Sequence, residues 1–307
     1  ALISTLENSQ MKKTLIAMAA VAVAGAASAQ VTITGNLAFG FAGDTTSAGV
    51  STRGFGTDTS NLKIATSEDL GGGLSLTASA SFENFAEDAA LAGTGVNMAV
   101  SGGFGTISFS SDESGDFLPV DGLTTNGNGT VADRAAYTSP SMGGATLTIS
   151  HGDDIGVIDA DGSGSVGKST AAALSYADGP LSLMYQNLTI GGAGTTNTST
   201  GLSGRNYYKV GYDMGVAAVT YGIIKTDATT DNTQTGLTVV APVGSALTLT
   251  AGFSTSKDLG GTSYSGSSVK VVYALSKRTS LSMYSESYES TGTSNVKEYS
   301  LLLNHSF

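Results

Sequence analysis

Apolar and small polar residues alternate along much of this chain, so that every second side chain is apolar. The clearest run covers residues 74–83, where Leu74 and Phe82 fall on one side and serine and threonine residues on the other. A period of two places successive side chains on opposite faces of a β-strand. Similar runs occupy residues 145–150, 237–239 and 246–254. The pattern predicts an all-β protein in which one face of each strand is apolar.

Segments of this kind number about sixteen and are roughly ten residues long, the length of a membrane-spanning β-strand. Their predicted starts lie near Val31, Ser60, Gly73, Val96, Phe104, Asp133, Ala145, Lys168, Pro180, Gly204, Val216, Thr233, Ser245, Ser267, Arg278 and Val296. Tight turns rich in Gly, Asp and Pro alternate with long polar connections, predicted over residues 43–59, 84–95, 111–132, 152–167 and 191–203. This rhythm is typical of a transmembrane antiparallel β-barrel, a closed sheet that leaves no unpaired backbone in lipid.

The first residues have a different pattern. Lys12 and Lys13 precede an apolar run over residues 15–24, and the small residues 27–29 follow it. These are the three parts of a secretory signal peptide. We predict a signal peptide over residues 11–29, cleaved before Gln30, and treat residues 1–10 as an upstream extension outside the fold. Residues 30–307 are predicted to form a single barrel domain.

Composition narrows the functional classes. Charged residues make up 13% of the chain, glycine occurs 42 times and cysteine is absent. The lack of cysteine excludes a disulfide framework and thiolate metal sites. A net charge of −11 argues against a nucleic-acid partner, because binding to phosphates needs clustered Lys and Arg.

Several segments resemble the Gram-negative trimeric general diffusion porins, especially those of β-proteobacteria. The similar segments, in the family's order, are residues 30–35, 60–63 with 68–74, 102–106, 134–140, 273–279 and 304–307. The resemblance implies a sixteen-stranded outer-membrane barrel that assembles as a homotrimer, with the third long loop folded into the lumen. It also implies contact with outer-membrane lipid and lipopolysaccharide. Phe307 resembles the assembly signal read by the barrel-insertion machinery.

One departure from the family concerns the narrowest part of the pore. Related porins carry an arginine shortly after the fifth strand, whereas residues 109–113 here read Phe-Ser-Ser-Asp-Glu. By alternation, Lys63 and Arg134 face the lumen. The acids of the third long loop that we expect to oppose them at the pore constriction are Asp112, Glu113, Asp116 and Asp121. Opposed charges create a transverse field that favours polar solutes.

We therefore predict passive diffusion of small hydrophilic solutes and ions, with a mild cation preference because the acids outnumber the bases. The same alternation argument directs Lys270, Glu286 and Glu298 into the lumen.

Other chemistry has weaker support. Residues 162–169 fit the phosphate-binding pattern Gly-x4-Gly-Lys-Ser, but they precede an alternating strand and not a helix. Asp153, Asp154, Asp159 and Asp161 leave open an adventitious calcium ion at an extracellular loop, although residue 170 is Thr where a calcium loop needs Glu. No other cofactor is expected.

We expect no enzymatic activity, since the two histidines, His151 and His305, fall on predicted outward faces. A catalytic Ser/His/Asp arrangement is recognised by its geometry, so the sequence alone leaves this alternative open. Two further alternatives are an exported adhesive or structural surface protein and a barrel selective for one substrate class. The loop rhythm and the aromatic Phe307 favour the pore over the surface protein.

Overall fold

The structure, a computed structural model, describes residues 30–84, 92–113, 117–120, 131–154, 167–191, 203–227, 232–257, 262–290 and 295–307. The predicted signal peptide and upstream extension lie outside these residues. The described strands are β1 Gln30–Thr45, β2 Ser51–Gly71, β3 Leu74–Glu83, β4 Ala92–Gly102, β5 Gly105–Glu113, β6 Val131–Thr138, β7 Ala145–Asp154, β8 Gly167–Asp178, β9 Leu181–Gly191, β10 Gly204–Asp213, β11 Ala218–Asp227, β12 Asn232–Val243, β13 Leu247–Lys257, β14 Ser263–Ala274, β15 Thr279–Tyr288 and β16 Val296–Ser306.

The strands form one closed antiparallel barrel in which each strand pairs with its neighbours in sequence. The barrel closes where β1 pairs with β16, from Asn36 opposite Ser306 to Thr45 opposite Lys297. The predicted sixteen-stranded barrel is thereby confirmed. Closure pairs the backbone polar groups of every strand, which lipid requires because it offers no hydrogen bonds.

The outer surface is apolar and the inner surface is mostly polar. Large apolar side chains are exposed at alternate positions, as Val31, Ile33, Leu37 and Phe39 show along β1. Such a band suits the hydrocarbon of a membrane, since a soluble protein rarely exposes so continuous an apolar surface. Among the described residues, no helix has the length and apolar character needed to span a bilayer.

Short turns join the strands at one end of the barrel. Residues 72–73, 103–104 and 179–180 each link two strands, and Gly72 and Gly179 adopt positive φ values of 63° and 55°. Glycine reaches such angles without the steric cost of a Cβ atom. Short, glycine-containing turns at this end confirm the predicted alternation of tight turns with longer connections, which lie at the opposite end.

The predicted extent of the first long loop was wrong. Residues 43–59 were expected to be irregular, but β1 continues to Thr45 and β2 begins at Ser51. The glycines at positions 54 and 56 suggested a loop, yet cross-strand pairing overrides their weak strand preference. The ring centroids of Phe41 and Phe55 lie 5.2 Å apart in an edge-to-face contact, which stabilises the extended hairpin. A register shift beside Phe39 accommodates one extra residue.

Candidate functional site

The lumenal face of each strand follows from the exposure of its neighbours. In β10, Tyr208, Val210 and Tyr212 are exposed on the outer surface. The residue between the first two, Lys209, therefore faces inward, because side chains alternate across a sheet. Its position is marked by a contact inside the barrel: the Lys209 Nζ atom lies 4.1 Å from the centroid of the Phe117 ring.

Phe117 belongs to loop three, the connection between β5 and β6. The described part of this loop, residues 117–120, lies against the inner wall of the barrel, where Leu118 is 4% exposed and Val120 is fully buried. Leu118 forms an apolar cluster with Tyr207 of β10 and Ile224 of β11. This segment of loop three thus lies inside the lumen, and it narrows the channel from the side formed by β10 to β14.

A cavity of about 310 Å³ lies between this loop segment and the wall. Phe117, Leu118 and Pro119 border it on the loop side. The wall contributes the basic residues Lys209 and Lys270 and the hydroxyl-bearing residues Thr220, Thr238, Thr250, Ser268 and Tyr284. No carboxylate among the described residues lines this cavity. The lining can therefore offer ammonium and hydroxyl donors to an anion or a polar solute.

The predicted basic residues lie elsewhere on the lumenal wall. Lys63 of β2 is aligned with Thr34 and Ser81, so it shares the inward face of those residues. Arg134 of β6 is aligned with Ser110 and Gly152 and also faces inward. Neither side chain borders the cavity at loop three. Their membership of the constriction stays a prediction.

The four predicted acids are only partly placed. Asp112 and Glu113 belong to strand β5 and not to the loop, since their backbones pair with Ala132 and Val131. The expectation that they are loop residues was wrong, because ladder pairing with β6 continues past residue 111. Asp116 and Asp121 lie outside the described residues. The constriction role of all four stays a prediction.

A row of carboxylates crosses the lumenal wall next to this cavity, beginning at Glu286, which is aligned with the cavity-lining Ser268. Glu286 of β15 is aligned with Glu298 of β16, which is aligned with Asp44 of β1. The Tyr284 hydroxyl donates a hydrogen bond to the Glu286 carboxylate, and Glu286 is only 3% exposed. Glu298 is exposed to the lumen. Like charges directly opposite each other in a sheet repel, so we expect Glu298 to lower the stability of the barrel.

Lys209 is a candidate site residue that the sequence analysis did not identify. The alternation of Tyr208, Val210 and Tyr212 was visible in the sequence, and the argument used for Lys63 would have directed Lys209 inward. Its contact with Phe117, in contrast, depends on where loop three folds. Sequence periodicity carries no information about that long-range contact.

Comparisons with known proteins agree with this architecture. The family model of the Gram-negative porin matches residues 15–293. Outer membrane porin protein 32 of Delftia acidovorans is 30% identical over 251 residues, which are 67% of this chain and 67% of the relative.

Solved structures share the fold. An anion-selective porin from Comamonas acidovorans superposes with a TM-score of 0.74 at 19% identity, covering 91% of this chain and 100% of the other. A triple mutant of the Rhodopseudomonas blastica porin gives a TM-score of 0.66 at 15% identity, with the same coverage. The family match, the closed barrel and the inward loop lead to one conclusion: the chain belongs to the Gram-negative porin family and forms a channel in the bacterial outer membrane.

Proposed function

We propose that this porin is a passive diffusion channel for small hydrophilic solutes that favours anions over cations. The observation that carries the proposal is the cavity beside loop three, whose described lining contains Lys209 and Lys270 and no carboxylate. A basic wall at a narrow, low-dielectric point raises the local concentration of anions. The mild cation preference predicted from the loop acids finds no support, and the Comamonas relative is named as anion-selective.

Neither lysine is neutralised by a partner among the described residues. Lys209 contacts the Phe117 ring, which leaves its positive charge intact. Lys270 is aligned with the uncharged residues Thr250 and Tyr284, and the Tyr284 hydroxyl donates its hydrogen bond to the Glu286 carboxylate. The field of both ammonium groups therefore extends into the water of the lumen.

A second candidate function is weak cation preference, and the aligned carboxylates Asp44, Glu298 and Glu286 favour it. These acids lie on β1, β15 and β16, and Glu298 is exposed to the lumen. The two candidates differ in whether the lysines or the carboxylates dominate the electrostatic potential at the narrowest section of the channel. They predict opposite signs of the reversal potential.

The test is a reversal potential in a planar bilayer under a KCl gradient. We expect the anion sign for the unmodified channel, a shift towards zero for Lys209→Gln and for Lys270→Gln, and a larger shift for the double variant. Lys225→Gln is the matched control, because Lys225 lies on the outer face of the neighbouring strand, 6.0 Å from the Tyr208 ring. A cation sign in the unmodified channel overturns the proposal in favour of the second candidate.

Assembly as a homotrimer, contact with lipopolysaccharide and recognition of Phe307 by the insertion machinery stay predictions. The oligomeric state is measured by light scattering of the detergent-solubilised protein, corrected for bound detergent. A monomeric mass for folded protein would contradict the trimer.

A further inference from the structure

Four glycines follow one another across the inner wall where loop three lies. Gly222, Gly236, Gly252 and Gly266 belong to β11, β12, β13 and β14, one in each strand. Gly222 is aligned with Gly236, and both Gly236 and Gly266 are aligned with Ser254. The absence of side chains at these positions leaves a groove that runs across the strands. We call it the glycine groove.

Residues 117–120 of loop three occupy this groove. A Cβ atom added at Gly236 would lie 2.6 Å from Pro119 Cδ and 2.9 Å from Leu118 Cδ2. At Gly252 it would lie 2.7 Å from Pro119 Cβ and 2.6 Å from Ser268 Oγ, and at Gly266 it would lie 3.0 Å from Val120 Cγ1 and 2.6 Å from Tyr288 Cβ. Non-bonded carbon atoms prefer separations of about 3.5–4.0 Å. Even alanine at these positions therefore overlaps with the loop.

Space, and not backbone conformation, explains these glycines. None of the four has a positive φ angle, so an L-residue could adopt the backbone conformation at each position. Glycine in a strand interior is otherwise unfavourable, since it adds backbone entropy to the unfolded chain and offers no side chain to pack. Close approach of other side chains is the remaining reason for glycine, and residues 117–120 of loop three supply such side chains at all four positions.

Two hydrogen bonds hold the loop segment along the groove. The Ser268 hydroxyl donates to the Pro119 carbonyl oxygen over 3.2 Å, and the Val120 amide donates to the Ser254 hydroxyl over 3.3 Å. Ser254 belongs to β13, the strand of Gly252, and Ser268 belongs to β14, the strand of Gly266. Both serines face inward. Buried polar groups of a loop need such partners. The contacts therefore fix the position of the segment along the wall as well as its depth.

We propose that the glycine groove is the seat of loop three and thereby sets the width of the channel. Each ångström by which the loop is displaced from the wall changes the open cross-section, so the four glycines determine the size limit for solutes. The width of the channel is set independently of the sign of its ion selectivity. Its readouts, conductance and solute exclusion, are separate from the reversal potential.

The first experiment compares Gly236→Ala and Gly252→Ala with Gly54→Ala and Gly56→Ala. The two control glycines lie in β2, and an added Cβ would meet nothing within 4 Å at either position. We expect the groove variants to change single-channel conductance by roughly 1.5- to 2-fold and to shift the size limit for sugars in liposome swelling, because flow scales with the narrowest section. The controls should match the unmodified protein. Groove variants that also match it, as folded, heat-modifiable barrels, would overturn the proposal.

A second experiment leaves the glycines intact and keeps the proposal testable if the alanine variants fold poorly. The chain has no cysteine, so Val120→Cys with Ser254→Cys introduces one defined pair at the observed contact. We expect the pair to form a disulfide, because the Val120 amide lies 3.3 Å from the Ser254 hydroxyl and a disulfide requires close Cβ atoms. Conductance should be equal in the oxidised and reduced states. Failure to oxidise, or a change in conductance on oxidation, would show that the loop rests elsewhere in the working channel.

Discussion

Phe307 and Gly35 exchange both of their backbone hydrogen bonds, each 3.0 Å long, where β16 meets β1. The Phe307 ring covers Gly35 so closely that a Cβ atom there would lie 2.4 Å from the ring atom Cζ and 2.7 Å from the Asn61 carbonyl oxygen. The pair extends the ladder that closes the barrel. Residue 307 thus contributes to closure through its backbone, while its ring packs over Gly35.

The first prediction tests this contact with Gly35→Val. Overpacking of a tight site costs about 1–3 kcal/mol, so the variant should unfold at lower urea concentration and give less heat-modifiable barrel. Gly56→Val serves as the control, because open space surrounds that glycine. Equal unfolding midpoints for the two variants would show that the ring moves aside without cost.

The companion variant Phe307→Ala separates closure from recognition. The backbone bonds between residues 307 and 35 do not require the ring, so barrel that is refolded in detergent should retain most of its stability. A loss in the yield of membrane-inserted protein in cells, with refolding in vitro unaffected, is the expected outcome if Phe307 is the assembly signal. An equal loss in both settings would assign the residue to closure alone.

A second prediction concerns the lumenal carboxylates. Replacing Glu298 with Gln removes the central charge of the row Asp44, Glu298 and Glu286. Relief of cross-strand repulsion should raise the free energy of unfolding by several tenths of a kcal/mol up to about 1 kcal/mol. The reversal potential should also move towards the anion side.

Glu68→Gln is the control for that prediction. Glu68 lies in β2, aligned with Leu76, on the face opposite to Lys63 because the two positions differ by an odd number. Its removal changes the net charge equally without altering the lumen. A reversal potential that shifts equally in both variants would mean that net charge, and not the row, controls selectivity.

Local patterns in the sequence predicted the barrel but not its interior. Alternation has a period of two residues, so it reports the orientation of Lys63 or Arg134 in a strand, and the spacing of turns reports the number of strands. It does not report which wall a loop will cover. No local pattern in the sequence distinguishes Gly236 and Gly252 from other glycines. Their structural role depends on contacts with Pro119, which is more than a hundred residues away in the chain.

The extended β2 strand shows a different limit. Gly54, Gly56 and Asp58 are poor strand formers, and a local reading assigned them to a loop. The structure pairs Gly54 with Ala42 and Gly56 with Gly40. Pairing with the backbone groups of β1 and the contact between the Phe41 and Phe55 rings stabilise the extended conformation. Pairing with β1 therefore determines the conformation of this segment, whose own strand propensity is weak.

The third prediction separates the seating of loop three from the stability of the barrel. Leu118 is 4% exposed and packs against Tyr207 and the fully buried Ile224. Truncation of a buried leucine to alanine costs about 2–5 kcal/mol. The barrel strands keep all of their ladder hydrogen bonds in Leu118→Ala, so the loss should act on the loop alone.

We therefore expect Leu118→Ala to give noisier single-channel currents with brief excursions to higher conductance, while the unfolding temperature stays close to that of the unmodified barrel. Leu302→Ala is the matched control, because Leu302 is 7% exposed and belongs to β16, outside the loop's seat. That variant should lower the unfolding temperature and leave the current quiet. The reverse result, a quiet Leu118→Ala channel in a destabilised barrel, would mean that Leu118 contributes to the barrel core and that the loop is held by other contacts.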